Sequence, residues 1–323
     1  MTPPAKRPKS LFMKQLPRAT IHLSNIVSNW EALDGLHPGA TTAAVVKADA
    51  YGLGAVPVAR ALLRSGCSTF FVAYLEEALA VRKALGLGPR IFVLNGPTRK
   101  EMSAYIAAGI TAVLSSPDHL KAWANAPKGT SALHFDTGMN RLGLKAAALA
   151  TTLTDLQRLQ PVLVMSHLAC ADETGNAMNT AQLKAFDDIA SAFPDTPASL
   201  ANSAGCYLGK GFGYDLIRPG IGLYGGSLPP KGLRIKQALT LDAAILSVFE
   251  GKAGETVGYG ATQTLQQDTQ LATVGIGYAD GLPRTGGNNL VAYLDDVPCP
   301  VVGRISMDLT TIDVSKAQDK AKT

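Results

Sequence analysis

The sequence predicts an α/β protein, a (β/α)8 TIM-type barrel followed by an all-β C-terminal domain, and three observations carry that expectation. Between residues 41 and 225, short runs rich in β-branched or aromatic residues alternate with stretches of helical apolar spacing. After residue 235 the helical spacing fades, and strand-like runs separated by Gly, Asp, Asn and Pro turns replace it. The chain has 323 residues, 46% of them apolar and 17% charged, which is enough to bury a large core in one big domain or two ordinary ones.

The elements follow in order. Residues 1–18 read as a basic, disordered tail: Lys6, Arg7, Lys9, Lys14 and Arg18 all precede the first acidic residue, Glu31. Without those five, 25 of the 30 Lys and Arg residues remain against 25 acids, so the net charge of +5 belongs to the tail. A neutral body without aromatic interleaving argues against nucleic acid as a partner. The apolar stretch at 11–13 is cut short by Lys14, where a signal peptide needs roughly 7 to 15 apolar residues. No window approaches the roughly 18 apolar residues of a membrane span. The barrel is expected over 19–235, with strands at 44–46, 69–73, 90–94, 111–114, 132–135, 162–166, 198–201 and 220–224. Helices at 55–64 and 75–85 are the clearest, the second opening on Glu76 and Glu77, where acids suit the helix dipole. Eight such units over about 180 residues suit a parallel barrel. An open doubly wound sheet is the alternative, but no GxGxxG follows the first strand. The β-domain is expected over 236–323, with strands at 238–249, 269–276, 290–294, 299–302 and 309–314 before a polar tail, AQDKAKT, without a closing element. Cys67, Cys170, Cys206 and Cys299 are far apart and form no CxxC pair, which argues against a metal site and fits a reducing, cytoplasmic compartment.

The chemistry starts at AVVKADAYGLGA, residues 44–55. Lys47 ends an apolar strand and precedes a Gly-rich turn, which places it at the C-terminal mouth of a barrel, where active sites lie. Partial desolvation there lowers an amine's pKa and makes it a candidate Schiff-base nucleophile; the plainer reading is a snorkelling lysine at a strand end. Tyr51 and the flexible backbone at Gly52 and Gly54 suit an anion. LANSAG (200–205) follows the seventh strand, and RPGIGLYGG (218–226) brackets the eighth. Loops after strands seven and eight often bind phosphate, and Ser203 adds a hydroxyl among small residues that let backbone N–H groups approach an anion. Lysine for an aldehyde and late loops for a phosphate together describe a pyridoxal 5'-phosphate site.

The segment VVKADAYG resembles the cofactor-lysine segment of alanine racemases. FDTGMNRLG (135–143), SHLACADE (166–173), ANSAG, DLIRPGIGLYG (215–225), VGYGAT (257–262), GIGYADG (275–281) and VGRISMD (302–308) resemble later segments of that family in the same order, from about residue 18 to about residue 314. The resemblance implies a pyridoxal-phosphate barrel, a β-domain, and a site completed across a homodimer. Lys47 would hold the cofactor covalently; Tyr51, Ser203, Gly220 and Ile221 would contact its phosphate, with His167 in the network. Arg218 would face the pyridine nitrogen and, always charged, keep it unprotonated. Racemisation needs an acid/base group on each face of Cα: Lys47 for one, Tyr259 of the second subunit for the other. A tyrosine acting as base near neutrality needs positive charge or donors nearby, which the His167–Arg218 network would supply. Arg141 and the backbone N–H of Met307 would hold the substrate carboxylate. Tyr278, Asp172, Arg284 and Arg304 would surround a narrow entrance favouring alanine.

Some positions depart from the family. His134 stands where many members carry a carbamylated lysine, so Arg141 must be oriented by other means. Leu53 and Ser199 replace common histidines. The family's β-domain continues beyond the segment at 302–308 to a late tyrosine near the phosphate, so the β-domain is expected to be truncated, with an exposed strand edge. The leading expectation is an alanine racemase supplying D-alanine for peptidoglycan. The alternatives are a racemase of a larger amino acid such as serine or lysine, a decarboxylase on the same barrel, and a non-catalytic pyridoxal-phosphate carrier.

Overall fold

The computed structural model describes residues 16–124 and 129–321; most of the expected basic tail, residues 1–15, lies outside them. Arg18, expected in that tail, instead opens a strand, Arg18–Ile21, that pairs with Leu239–Asp242. The chain forms two units, Ile21–Leu239 and a C-terminal unit from Thr240 onward that includes Arg18 to Thr20.

The first unit is built on a ring of parallel strands. Thr41–Thr42 and Ala44–Val45 make the first, interrupted at Ala43. Thr69–Val72, Arg90–Val93, Thr111–Leu114, Ser131–Asp136, Val164–Met165 and Ala198–Ser199 follow in spatial and sequence order. Leu216–Ile217 closes the ring. Its neighbours bond to it through Asp215 N to Ala198 O (3.1 Å) and Arg218 N to Ala201 O (2.9 Å) on one side, and through Thr41 N to Asp215 O (2.8 Å) and Ala43 N to Ile217 O (3.0 Å) on the other.

Alternation along each strand sorts side chains into two layers. Ala43, Val45, Phe71, Phe92, Val113, Ala132, Leu163, Met165 and Leu216 fill the ring's interior, with Phe71 stacked on Phe92 at 4.6 Å between ring centroids. The intervening residues, among them Ala44, Phe70, Ile91, Leu114, Phe135 and Val164, join the larger cluster shared with the helices. Leu23–Asp34 packs there too, pinned by the fully buried Asn29: its Nδ2 donates to Leu223 O (3.0 Å) and Lys236 O (2.8 Å), and its Oδ1 accepts from Lys236 N (2.7 Å).

The expected helices at 55–64 and 75–85 stand as Ala55–Arg64 and Leu75–Leu85. The expected eighth strand at 220–224 does not form: Ile221–Tyr224 is a 3-10 turn, and the strand lies earlier at Leu216–Ile217. Both stretches are apolar, but the ring's ladder reaches only the first, and three glycines at 220, 222 and 225 favour tight turning in the second.

The C-terminal unit holds a three-stranded antiparallel sheet of Ile245–Gly251, Thr269–Val274 and Thr310–Asp313, a hairpin of Val291–Leu294 with Val297–Pro300, and the short ribbon Thr256–Val257 with Gln263–Thr264. The expectation of an open polar tail at 317–323 is corrected for 317–321, the last two residues lying outside the described ones. Ser315–Ala317 and Gln318–Ala321 form helical turns whose Ala317 and Ala321 are buried against Ile312 and Val314. Among the described residues no helix is long and apolar enough to cross a membrane, and no His/Cys/Asp/Glu group could hold a metal.

Candidate active site

The interior rows of the barrel do not end where the apolar plug ends. Two residues beyond Val45 stands Lys47; beyond Ala132, His134; beyond Met165, His167; beyond Leu216, Arg218. Side chains two apart share a face of a strand, so the same alternation that fills the plug carries these four polar groups to its C-terminal side. A cavity of about 720 Å³ opens there, lined among others by Lys47, Tyr51, Arg141, His167, Asp172, Ser203, Arg218, Gly220 and Ile221. Every lining residue belongs to the first unit.

Lys47 is half-buried; burial first and the Arg141 charge second lower its pKa from the ordinary lysine range, against Glu77, which raises it. After it the chain turns through Ala48, Asp49, Ala50 and Tyr51, all left-handed with φ between 51° and 58°. Such a run costs about 1–2 kcal/mol per residue and persists only where surroundings over-determine it. Here Asp49 takes Ala55 N at Oδ1 (2.7 Å) and Gly54 N at its carbonyl (2.8 Å), while Gly52 N returns to Ala48 O (2.9 Å).

The late loops meet on one hydroxyl. The buried Ser203 Oγ accepts from Gly220 N (2.8 Å) and Gly222 N (3.0 Å), so two backbone donors and a hydroxyl converge. A Cβ on Gly220 would lie 2.4 Å from the Tyr51 hydroxyl, so only glycine lets that phenol approach. Tyr51 also packs against Tyr224 at 4.8 Å between centroids, and Tyr224 is fixed through its hydroxyl to Val45 O (2.9 Å).

Arg218 is buried, and its guanidinium donates to Ser199 Oγ and to the carbonyls of Ser166 and, at 3.4 Å, Leu200. Ser199 in turn donates to Leu216 O at 2.5 Å. Burial pushes the guanidinium down to about 9, still cationic at neutral pH. Its charge has a cost elsewhere: His167 and His134 are both lowered by burial and then by the Arg218 and Arg141 charges, His134 to about 4. Both imidazoles are therefore neutral at pH 7, and His134 Nδ1 is buried with no hydrogen-bond partner among the described residues.

That neutrality is measurable as stability. Because the folded pKa of His134 lies below its ordinary 6.5, the unfolded chain binds the extra proton between pH 6.5 and about 4. Stability contributed by the neutral ring is thus present above pH 6.5 and lost as pH falls through that window, at about 1.4 kcal/mol per unit. Denaturant unfolding from pH 7 to 5 is expected to show this decline, shared with His167, and His134→Asn to flatten it by about 2 kcal/mol; an identical slope in the variant would refute the assignment.

Arg141 leaves a loop organised by Asp136. That carboxylate accepts from Gly138 N (3.0 Å), Asn140 N (3.1 Å) and the Lys145 ammonium (2.5 Å). Burial alone would raise its pKa, but Lys145 and the two N–H groups together hold it below the usual range. The fully buried Gln182 ties the neighbouring loops, accepting from Ala169 N (2.8 Å) and donating to Thr137 Oγ1 (3.1 Å) and His167 O (3.0 Å). Gln182 does not stand out in sequence, lying mid-helix among polar residues; Ser199 does, as a departure from a common histidine, but its link between Arg218 and Leu216 O is visible only in the structure.

Of the expected site residues, the cavity brings together Lys47, Tyr51, His167, Ser203, Arg218, Gly220, Ile221 and Arg141, with Asp172 at its wall. Tyr259, Tyr278 and Met307 are not among its lining. They lie in the C-terminal unit, 69%, 40% and 59% exposed, with Arg284 over the Tyr278 ring at 5.8 Å and Arg304 beside Gly260.

A closed barrel presenting a half-buried amine, a serine hydroxyl bonded to two loop N–H groups and a buried arginine around a cavity at the mouth of its strands has the make-up of a barrel enzyme. Residues 21–228 match the alanine racemase N-terminal domain family, and residues 238–323 its C-terminal domain. The alanine racemase of Rhodospirillum rubrum is 47% identical over 92% of this chain and 82% of its own length. Among solved structures, alanine racemase from Bartonella henselae with covalently bound pyridoxal phosphate has a TM-score of 0.84 at 35% identity, covering 93% of this chain and 86% of that one. The biosynthetic alanine racemase of Pseudomonas aeruginosa has a TM-score of 0.85 at 35% identity, covering 94% and 87%. The chain belongs to the alanine racemase family.

Proposed function

We propose that this chain interconverts L-alanine and D-alanine with pyridoxal 5'-phosphate, supplying D-alanine for peptidoglycan from the cytoplasm. The observation that carries the reading is the convergence on one cavity of the Lys47 amine, the hydrogen-bonded pair Ser203 and Gly220, and the buried Arg218 cation. The residues fit the cofactor: Ser203 and the small-residue loop around Gly220, where the missing Cβ lets the Tyr51 hydroxyl come close, are suited to a phosphate, and a half-buried amine of lowered pKa is suited to an aldehyde. When bound, the cofactor supplies an electron sink that acidifies the Cα–H of an attached amino acid.

The chain's own residues supply the rest. Lys47 would hold the cofactor covalently and exchange a proton at Nζ on one face of Cα. Tyr51, Ser203 and the N–H groups of Gly220 and Ile221 would hold the phosphate, with neutral His167 beside them. Arg218, charged and locked by Ser199 and Ser166, would keep a proton off the ring nitrogen facing it. Arg141 and the Met307 N–H would orient the substrate carboxylate, and Tyr278 would border the entrance. The opposite face of Cα needs a second base, and the cavity lining offers no further phenol than Tyr51 and Tyr207. The exposed Tyr259 of a second copy would supply it, which makes the working enzyme a homodimer.

The test is incubation of the cofactor-loaded protein with L-alanine in deuterium oxide. D-alanine carrying deuterium at Cα is the expected product. Absence of both isotope exchange and D-alanine would favour a carrier of the cofactor, and faster turnover of lysine or serine would move the substrate assignment.

A further inference from the structure

We infer that Glu77 is a positioning residue for Lys47, acting from outside the cavity. It opens the helix Leu75–Leu85, which follows the second strand. One carboxylate oxygen, Oε2, does local work: it accepts from Ala73 N (2.7 Å) and Tyr74 N (3.1 Å) at the start of that helix. The other does not. Oε1 accepts from Ala48 N at 2.5 Å, the first peptide after Lys47 and 29 residues away in sequence.

That second bond falls at the most constrained point of the site. Ala48 is the first of the four left-handed residues, so its N–H direction sets where the turn leaves the strand and where the Lys47 side chain begins. The turn's remaining hydrogen bonds are internal to residues 46–55. The Glu77 carboxylate is the tie that couples this turn to the loop after the second strand. Charge acts in the same place. The groups felt by Lys47 are Arg141 from the loop after the fifth strand and Glu77 from this helix, and Lys47 acts in turn on His167 beyond the sixth. Glu77 is the only acid among them. It counteracts burial and Arg141, both of which favour the neutral amine. A carboxylate there therefore fixes the lysine in place and limits how far its basicity falls.

This inference rests on Lys47 being the reactive amine, and its test separates the two. Wild type, Glu77→Gln and Glu77→Asp are prepared free of cofactor, and Lys47 labelling by formaldehyde with cyanoborohydride is followed against pH by mass spectrometry. Glu77→Gln removes the charge, so Lys47 is expected to label roughly threefold faster at a fixed pH below its pKa. Glu77→Asp keeps the charge but is one methylene too short to span both loops, so its labelling profile should stay near wild type. In the loaded enzymes both variants should lower kcat about tenfold with KM for alanine within about twofold, because the carboxylate-binding groups are untouched. A helix-capping role alone would lower thermal stability in both variants and leave the labelling profile and kcat at wild-type values; that outcome overturns the inference. Racemisation surviving in Lys47→Arg would instead overturn the reading of Lys47, whatever the labelling of the Glu77 variants shows.

Discussion

Replacing Lys47 by arginine is expected to remove racemisation, with kcat falling by at least about 10⁴-fold. The substitution keeps a cation of similar reach at the mouth of the barrel, so loss of activity cannot be assigned to charge or to an emptied volume. What disappears is a primary amine able to form a covalent bond with an aldehyde and then to exchange a proton. Burial and Arg141 lower the Lys47 pKa, which increases the share of the neutral, nucleophilic form at pH 7. An arginine has no such form, since its guanidinium stays protonated. Two measurements check the result: D-alanine production, and the mass gained by the loaded protein after borohydride reduction. Wild type should gain the cofactor's mass at the Lys47 peptide and the variant should not. Residual activity above a few per cent of wild type would remove Lys47 from the chemistry.

Tyr259→Phe is expected to lower racemisation about 10³-fold while leaving the covalent attachment at Lys47 unchanged, a magnitude typical of losing a general acid/base group. The residue is 69% exposed in this chain, so loss of one hydroxyl should leave stability within about 0.5 kcal/mol. With only one face of Cα served, deuterium exchange should persist for one enantiomer of alanine and vanish for the other. A complementation experiment tests the shared site directly. When the inactive Lys47→Arg and Tyr259→Phe chains are mixed and reassociated, half the dimers are hybrids, and each hybrid has one site with both groups intact. About a quarter of wild-type activity should return. If both residues served a site within one chain, mixing would restore nothing.

Much of this architecture is legible in sequence because its signals are local. Runs of β-branched and aromatic residues at 69–73 and 90–94 and helical spacing at 55–64 and 75–85 are properties of neighbouring residues, and the observed elements follow them closely. The same holds for the lysine at a strand end and for the Gly-rich late loops, now found lining one cavity. The eighth strand shows the limit. Residues 216–217 and 221–224 are comparably apolar, and the choice between them is made by Asp215, Ile217 and Arg218 meeting the main chains of the first and seventh strands. The end of the chain is a second case: Ala317 and Ala321 sit among polar neighbours, and only the sheet they pack on gives them a reason to be buried.

Composition and short-range pattern were thus sufficient to set the barrel's period, the β-domain after it, and the side chains able to do chemistry. Packing across the ring decided what those side chains are. Arg218 keeps its charge among carbonyl and hydroxyl oxygens drawn from separate strand ends, His134 loses its proton beside it, and Glu77 reaches 29 residues back to Ala48. Burial and long-range hydrogen bonding depend on which segments end up adjacent in space, a property of the closed ring that no window of the sequence contains.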